Sequence, residues 1–144
     1  MHKVLILGAG KIGALISGLL ADSGDYDVQL ADADAEAART VATGHGLDNV
    51  TPFALDATDP AALAAHIAEH TPGTLISSLP FFCNPPVAEA ARDAGLHYFD
   101  LTEDVAVTEA VRGFAEGADT AFVPQCGLAP GFISIAANQL ISHF

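Results

Sequence analysis

Residues 4–34, VLILGAGKIGALISGLLADSGDYDVQLADAD, constrain the fold of this 144-residue chain more than any other stretch. A run of β-formers, Val4-Leu5-Ile6-Leu7, leads straight into Gly8-Ala9-Gly10-Lys11-Ile12-Gly13. An apolar-periodic segment follows, and a second extended run, Asp27-Val28-Gln29-Leu30-Ala31, ends in Asp32. Glycines spaced G-x-G-x-x-G between a strand and a helix, with an acid closing the next strand, form the kind of unit that cradles a dinucleotide. Each glycine has its own steric task. Gly8 permits the sharp turn out of the strand, Gly10 lets the backbone approach a pyrophosphate, and Gly13 lets the helix pack closely on the strand. The phosphates then fall on the free N–H groups and positive dipole end of a helix whose first residues are Lys11 and Ile12. A glycine-rich turn that binds nothing is the competing reading; the flanking strand and the spaced acid argue against it.

Asp32 also bears on the cofactor. An acid at this point accepts hydrogen bonds from ribose hydroxyls and repels a 2′-phosphate. The residues after it are Ala33, Asp34, Ala35 and Glu36, and the first cation, Arg39, lies inside the following helix. NAD is therefore expected in preference to NADP.

The remaining sequence alternates strand and helix without a linker or low-complexity segment. Strands are expected at 2–8, 27–32, 50–55, 74–79, 97–101 and 120–125. Helices are expected at 11–23, 34–44, 60–70, 85–95 and 105–117, with a last one from about 131. Asp59-Pro60 reads as an N-cap followed by a first-turn proline, and Pro72-Gly73 stops that helix. Asn84-Pro85-Pro86 opens the next, which Gly95 closes. In the first helix Ile12, Leu15, Ile16, Leu19 and Leu20 recur at helical spacing and are expected to face the core. Six strands each followed by a helix give an α/β Rossmann fold, a doubly wound parallel sheet of order 3-2-1-4-5-6, in one domain over residues 1–144.

Composition narrows the partners. A net charge of −13, with only five Lys and Arg, argues against nucleic acid and against an anionic membrane. No apolar run approaches the roughly 20 residues of a membrane span. Met1-His2-Lys3 enters a strand at once, so no signal or transit peptide is expected and the setting is read as cytoplasmic. Cys83 and Cys126 form no C-x-x-C pair, and free thiols in a reducing compartment are the expectation.

In an open α/β sheet the ligand lies across the carboxyl ends of the strands. After the third strand comes Asp56-Ala57-Thr58-Asp59, where Asp56 and Ala57 fall near an adenine ring and Asp59 caps a helix. After the fourth comes Ser77-Ser78-Leu79-Pro80-Phe81-Phe82, of which Ser78, Leu79 and Pro80 are expected beside the nicotinamide ribose and ring. Asp100, ending the fifth strand, is taken as a further cofactor contact. The sixth leads into Pro124-Gln125-Cys126-Gly127-Leu128-Ala129-Pro130-Gly131, a rigid turn that permits close approach of a ligand or a partner domain. His66 and His70 stand four apart on one helix, but no third ligand accompanies them and Glu69 is off their face; they are read as surface histidines, and no metal is expected. His97, at a strand start, is read as structural. A nucleophilic Cys126 would need a neighbouring base, and none stands beside it. No catalytic residue is assigned.

These loops carry a family likeness. The chain resembles the N-terminal NAD(P)-binding domain of the saccharopine dehydrogenase-like enzymes, and within that family it is most similar to the lysine 6-dehydrogenase branch. The resembling residues are VLILGAGKIG at 4–13, LADAD at 30–34, LDATD at 55–59, SSLPFFCNPPVAEAARDAGLHYFDL at 77–101 and VPQCGLAPGF at 123–132. The first of these is generic to dinucleotide folds, whereas the last two are far more specific. The resemblance implies oxidation or formation of a C–N bond at an amino-acid carbon, with a small amino acid or amine as substrate. It also implies a following α+β domain that supplies most of the substrate site, the general base and the contacts of a homodimer. On this reading the chain is the cofactor part of a longer enzyme. Phe132, Ile133, Ile135, Leu140 and Ile141, in a last helix still gaining hydrophobic residues, fit that expectation. NAD-sensing regulatory domains of potassium transport systems share the length, the glycine turn and an Asp-Ala-Thr-Asp turn, and stand as the alternative; the Leu79-Pro80 loop and the Cys126–Gly131 turn favour the dehydrogenases.

Overall fold

The computed structural model describes residues 1–143. Strands β1 (His2–Leu7), β2 (Tyr26–Asp32), β3 (Val50–Ala54), β4 (Thr74–Ser77), β5 (His97–Asp100) and β6 (Phe122–Val123) alternate with helices. The helices are α1 (Lys11–Asp22), α2 (Ala35–His45), α3 (Pro60–His70), α4 (Asn84–Asp93), α5 (Val105–Ala115) and α6 (Ile133–Ile141). One tight helical turn, Phe81–Cys83, precedes α4, and a wide turn, Leu128–Phe132, precedes α6. All six strands run parallel in the order β3-β2-β1-β4-β5-β6, as expected. β1 lies at the centre, with Val4 opposite Val28 on one side and Thr74 on the other. The strand order reverses between β1 and β4, and a reversal of this kind opens a crevice at the carboxyl edge.

Side chains on β1 alternate between two cores because successive residues of a strand point to opposite faces. Val4 and Ile6 join Val28, Leu30, Ala21, Ala38 and Ala42 under α1 and α2. Leu5 and Leu7 join Leu75, Tyr98, Leu63, Val87 and Val111 under α3, α4 and α5. A strand covered on both faces has no polar side, which is why β1 reads as an unbroken apolar run. Asp34, Asp59 and Asp104 each accept backbone N–H bonds at the start of α2, α3 and α5, a contribution of about 1 kcal/mol apiece. Ser77 donates to the buried Asn84 amide oxygen at 2.7 Å, tying the end of β4 to the start of α4.

Two expectations need correction. The core face of α1 is Gly13, Ser17 and Ala21, not the large apolar stripe. Ile16 and Leu20 flank that face, while Ile12, Leu15 and Leu19 stand 51%, 58% and 65% exposed. Small residues four apart let the helix axis approach the sheet, and the approach turns the larger side chains outward. His66 is likewise no surface residue. It is buried, edge-on to Phe53, beside His70 at 4.4 Å between ring centroids, with Nε2 3.3 Å from Gln29 Oε1. Boundaries also shorten: β4 stops at Ser77, β6 is a two-residue bridge, and the last helix starts at Ile133.

Candidate dinucleotide site

The three glycines of the turn differ in what holds them. Gly8 has φ +99°, and a Cβ there would lie 2.8 Å from Ser78 Oγ. A Cβ on Gly13 would lie 1.8 Å from the Gly8 carbonyl oxygen. Both positions are therefore fixed by packing inside the protein. Gly10 is different: its φ of −70° suits any residue, and a Cβ would meet nothing within 4 Å. The space beside Gly10 is kept clear of protein, as close approach of a phosphate requires. Behind it α1 begins with no side-chain cap, in contrast to the aspartate-capped α2, α3 and α5. The first N–H groups of α1, those of Lys11, Ile12 and Gly13, have no carbonyl partner within their own helix and form the positive end of its dipole. The residues present fit a pyrophosphate.

Ser78 joins the turn to β4. Its Oγ lies 3.0 and 3.1 Å from the carbonyl oxygens of Leu7 and Gly8, and its N–H donates to Leu7. It braces the turn from beneath, a role its place in the sequence does not announce. Asp32, at the end of β2, accepts from the Ala9 N–H at 2.7 Å and from the Asp34 N–H at 2.9 Å. The same carboxylate thus holds the glycine turn in place at the carboxyl end of β2. Arg39 is exposed and paired with Glu36 at 2.7 Å.

The cleft has a compartment on either side of the glycine turn. On the β2 and β3 side a cavity of about 180 Å³ is lined by Gly8, Asp32, Asp56, Ala57, Leu79 and Pro80 among others. Asp56 accepts from both the hydroxyl and the N–H of Thr58, and these bonds hold its carboxyl below the usual range. On the β4 and β5 side a cavity of about 380 Å³ has Ile12, Ser78, Leu79 and Phe81 on one flank and residues 101–104 on the other. Leu79 lines both. A larger groove, about 550 Å³, lies between α3 and α4 and shares no residue with the glycine turn.

Asp100, expected as a cofactor contact, does not reach the cleft. It has no exposed surface, and its oxygens accept from Tyr98, Thr102 and Gln125, so it is a buried brace and not a group that faces the cleft. Cys126 donates to the Val123 carbonyl, and desolvation together with the charge of Asp100 pushes its thiol up, away from a nucleophilic thiolate. His97 Nδ1 accepts from the Ala121 N–H, a structural link between the β5 and β6 ends. Among the described residues, no three His, Cys, Asp or Glu side chains are grouped to hold a metal, and no helix is long and apolar enough to cross a membrane.

With this geometry in view, the comparisons with known proteins are specific. Residues 4–123 match the model of the saccharopine dehydrogenase NADP binding domain. No curated protein sequence matches the chain. Among solved structures, apo saccharopine dehydrogenase (L-Glu forming) from Saccharomyces cerevisiae superposes with a TM-score of 0.83 at 23% identity, covering 99% of this chain and 31% of that one. GenD2 from gentamicin A biosynthesis, in complex with NAD, gives 0.65 at 19% identity, covering 96% of this chain and 39% of its own. Bordetella bronchiseptica WbmG in complex with NAD gives 0.61 at 17%, covering 86% and 52%. The chain therefore spans between about a third and a half of these structures. The match over residues 4–123, together with the glycine turn and the crevice at the β1/β4 reversal, places this chain in the saccharopine dehydrogenase NAD(P)-binding domain family.

Proposed function

We propose that the chain is the cofactor domain of an NAD-dependent oxidoreductase that acts at a C–N bond of an amino acid or amine. The observation that carries the cofactor preference is Asp32: an acid fixed at the end of β2 by two backbone N–H groups, with Arg39 turned to Glu36. A 2′-phosphate placed there would meet a negative charge with no cation offsetting it. Gly8, Gly10, Gly13 and the start of α1 at Lys11 and Ile12 would hold the pyrophosphate, with Asp56 and Ala57 beside the adenine. Ser78 and Leu79 would flank the nicotinamide ribose, whereas Pro80, expected beside them, lines the cavity on the Asp32 side. When bound, the nicotinamide takes a hydride from the amine carbon and leaves an imine that water opens.

Family membership supports the reaction class, and the exposed Phe81, Phe82 and α6 support a further domain seated over the nicotinamide end. That domain would supply the substrate pocket, the proton acceptor and the homodimer contacts. The cofactor preference is tested by titrating the chain with NADH and NADPH in parallel. Tighter binding of NADH is expected, and tighter binding of NADPH would overturn it. The reaction class is tested on the longest natural form of the protein with a panel of amino acids and polyamine precursors, following NADH absorbance between about pH 7 and 10, where amines shed their proton. Reduction of NAD by an amine is expected. Tight NADH binding with no amine oxidised would instead favour an NAD-sensing regulatory domain.

A further inference from the structure

We propose that Asp100 is a positioning residue for the nicotinamide ring of the cofactor, locking the loops after β5 and β6 into one wall of the cleft without touching the ligand. This rests on the dinucleotide reading of the cleft. Asp100 Oδ1 accepts from the Thr102 N–H at 3.0 Å and the Gln125 N–H at 3.2 Å. Oδ2 accepts from the Tyr98 hydroxyl at 3.0 Å, and the Asp100 carbonyl accepts from the Cys126 N–H at 2.8 Å. One wholly buried residue thus gathers donors from its own strand, from the loop after it and from the loop after β6.

The β6 side needs that tie. β6 pairs with β5 at only two positions, Tyr98 with Phe122 and Phe99 with Val123. Gln125, two residues on, is held at φ +64°, a region that a residue with a side chain keeps only when its surroundings fix it. The second loop is also folded hard against the first: a Cβ on Gly127 would lie 3.0 Å from the Leu101 carbonyl oxygen. Beyond Asp100 the chain of bonds continues, with Thr102 Oγ1 accepting from the Asp104 N–H and Asp104 capping α5. Burial and the adjacent Asp100 charge hold the Tyr98 phenol far above its ordinary range, so it remains a donor.

Residues 101–104, which this network fixes, line the cavity on the β4 and β5 side of the glycine turn. A dinucleotide with its adenosine half at Asp32 crosses the strand-order reversal and places its other half there. None of the residues bonded to Asp100 lines the cavity on the Asp32 side. Loss of Asp100 should therefore be felt at the nicotinamide ring, and ADP-ribose, which keeps both riboses and the pyrophosphate but lacks the ring, isolates that contribution.

The test is to titrate the chain and its Asp100→Ala and Asp100→Asn variants with NADH and with ADP-ribose. Asp100→Ala is expected to weaken NADH by roughly tenfold, the scale of losing one buried hydrogen-bond partner, while ADP-ribose stays within about twofold. Asp100→Asn is expected to restore NADH binding, because its Oδ1 keeps both amide donors and its Nδ2 can donate to Tyr98. Equal loss of both ligands, no loss of either, or failure of Asp100→Asn to rescue would overturn the proposal. Should Asp100→Ala not fold, amide exchange in the unaltered chain decides: Thr102 and Gln125 are expected to slow with NADH and not with ADP-ribose, and an equal response to both contradicts the assignment. An unaltered chain that binds neither ligand overturns the dinucleotide reading itself.

Discussion

At the scale of the residue, the glycine turn separates structural from functional necessity. Gly8 and Gly13 are required by Ser78 and by the Gly8 carbonyl, so even a methyl group at Gly13 must displace backbone. Gly13→Ala is expected to destabilise the domain by about 1–3 kcal/mol or more, the range for overpacking, as a lower urea midpoint will show. Asp32→Ala removes both the proposed ribose partner and the acceptor of the Ala9 N–H. It is expected to weaken NADH by roughly 1–3 kcal/mol, measured by calorimetry; unchanged affinity would remove Asp32 from the site. The sequence announces Gly8, Gly13 and Asp32, because spacing alone dictates their geometry. It misleads at Asp100, which reads as a cofactor contact because it ends a strand at the carboxyl edge, whereas the donors Tyr98, Thr102 and Gln125 make it a buried brace.

At the scale of the element, strand order followed from pattern because alternating strands and helices admit few right-handed arrangements. The inward face of α1 did not. Periodicity marks an apolar stripe but not which side of it meets the sheet, and here close approach selects Gly13, Ser17 and Ala21. α3 misled in the opposite direction, because His66 looks polar in sequence yet packs against Phe53 and Gln29. Desolvation, with the neighbouring His70 charge next, holds the His66 imidazole below its ordinary value, and Glu69 opposes them weakly. The folded state therefore favours the neutral ring. As pH falls below the unfolded value of about 6.5, the unfolded chain takes up the proton first, so stability falls until the folded ring protonates too. Urea midpoints between pH 7.5 and about 5 are expected to drop on acidification, and the His66→Phe variant to drop less. Equal slopes for the two proteins would contradict this account of α3.

At the scale of the whole molecule, the apolar side chains left uncovered are concentrated along α1, at Phe81 and Phe82, and on α6, which has no buried residue. Monomers rarely leave patches beyond a few hundred Å² open, so the chain of residues 1–144 is expected to bind a hydrophobic dye and to self-associate as concentration rises. A dye-silent monomer at all concentrations would contradict the proposal that another domain seats there. The central claim, however, is that the crevice at the β1/β4 reversal holds a dinucleotide pyrophosphate against Gly10. Gly10→Val tests it cleanly, because the new side chain meets no protein atom within 4 Å of its Cβ and the backbone at −70° accepts it. Calorimetric titration of NADH into the two proteins, with circular dichroism to confirm an intact fold, is the direct measurement. One-to-one binding to the unaltered chain and none to a folded Gly10→Val is the predicted result; equal binding to both, or none to the unaltered chain, would contradict it.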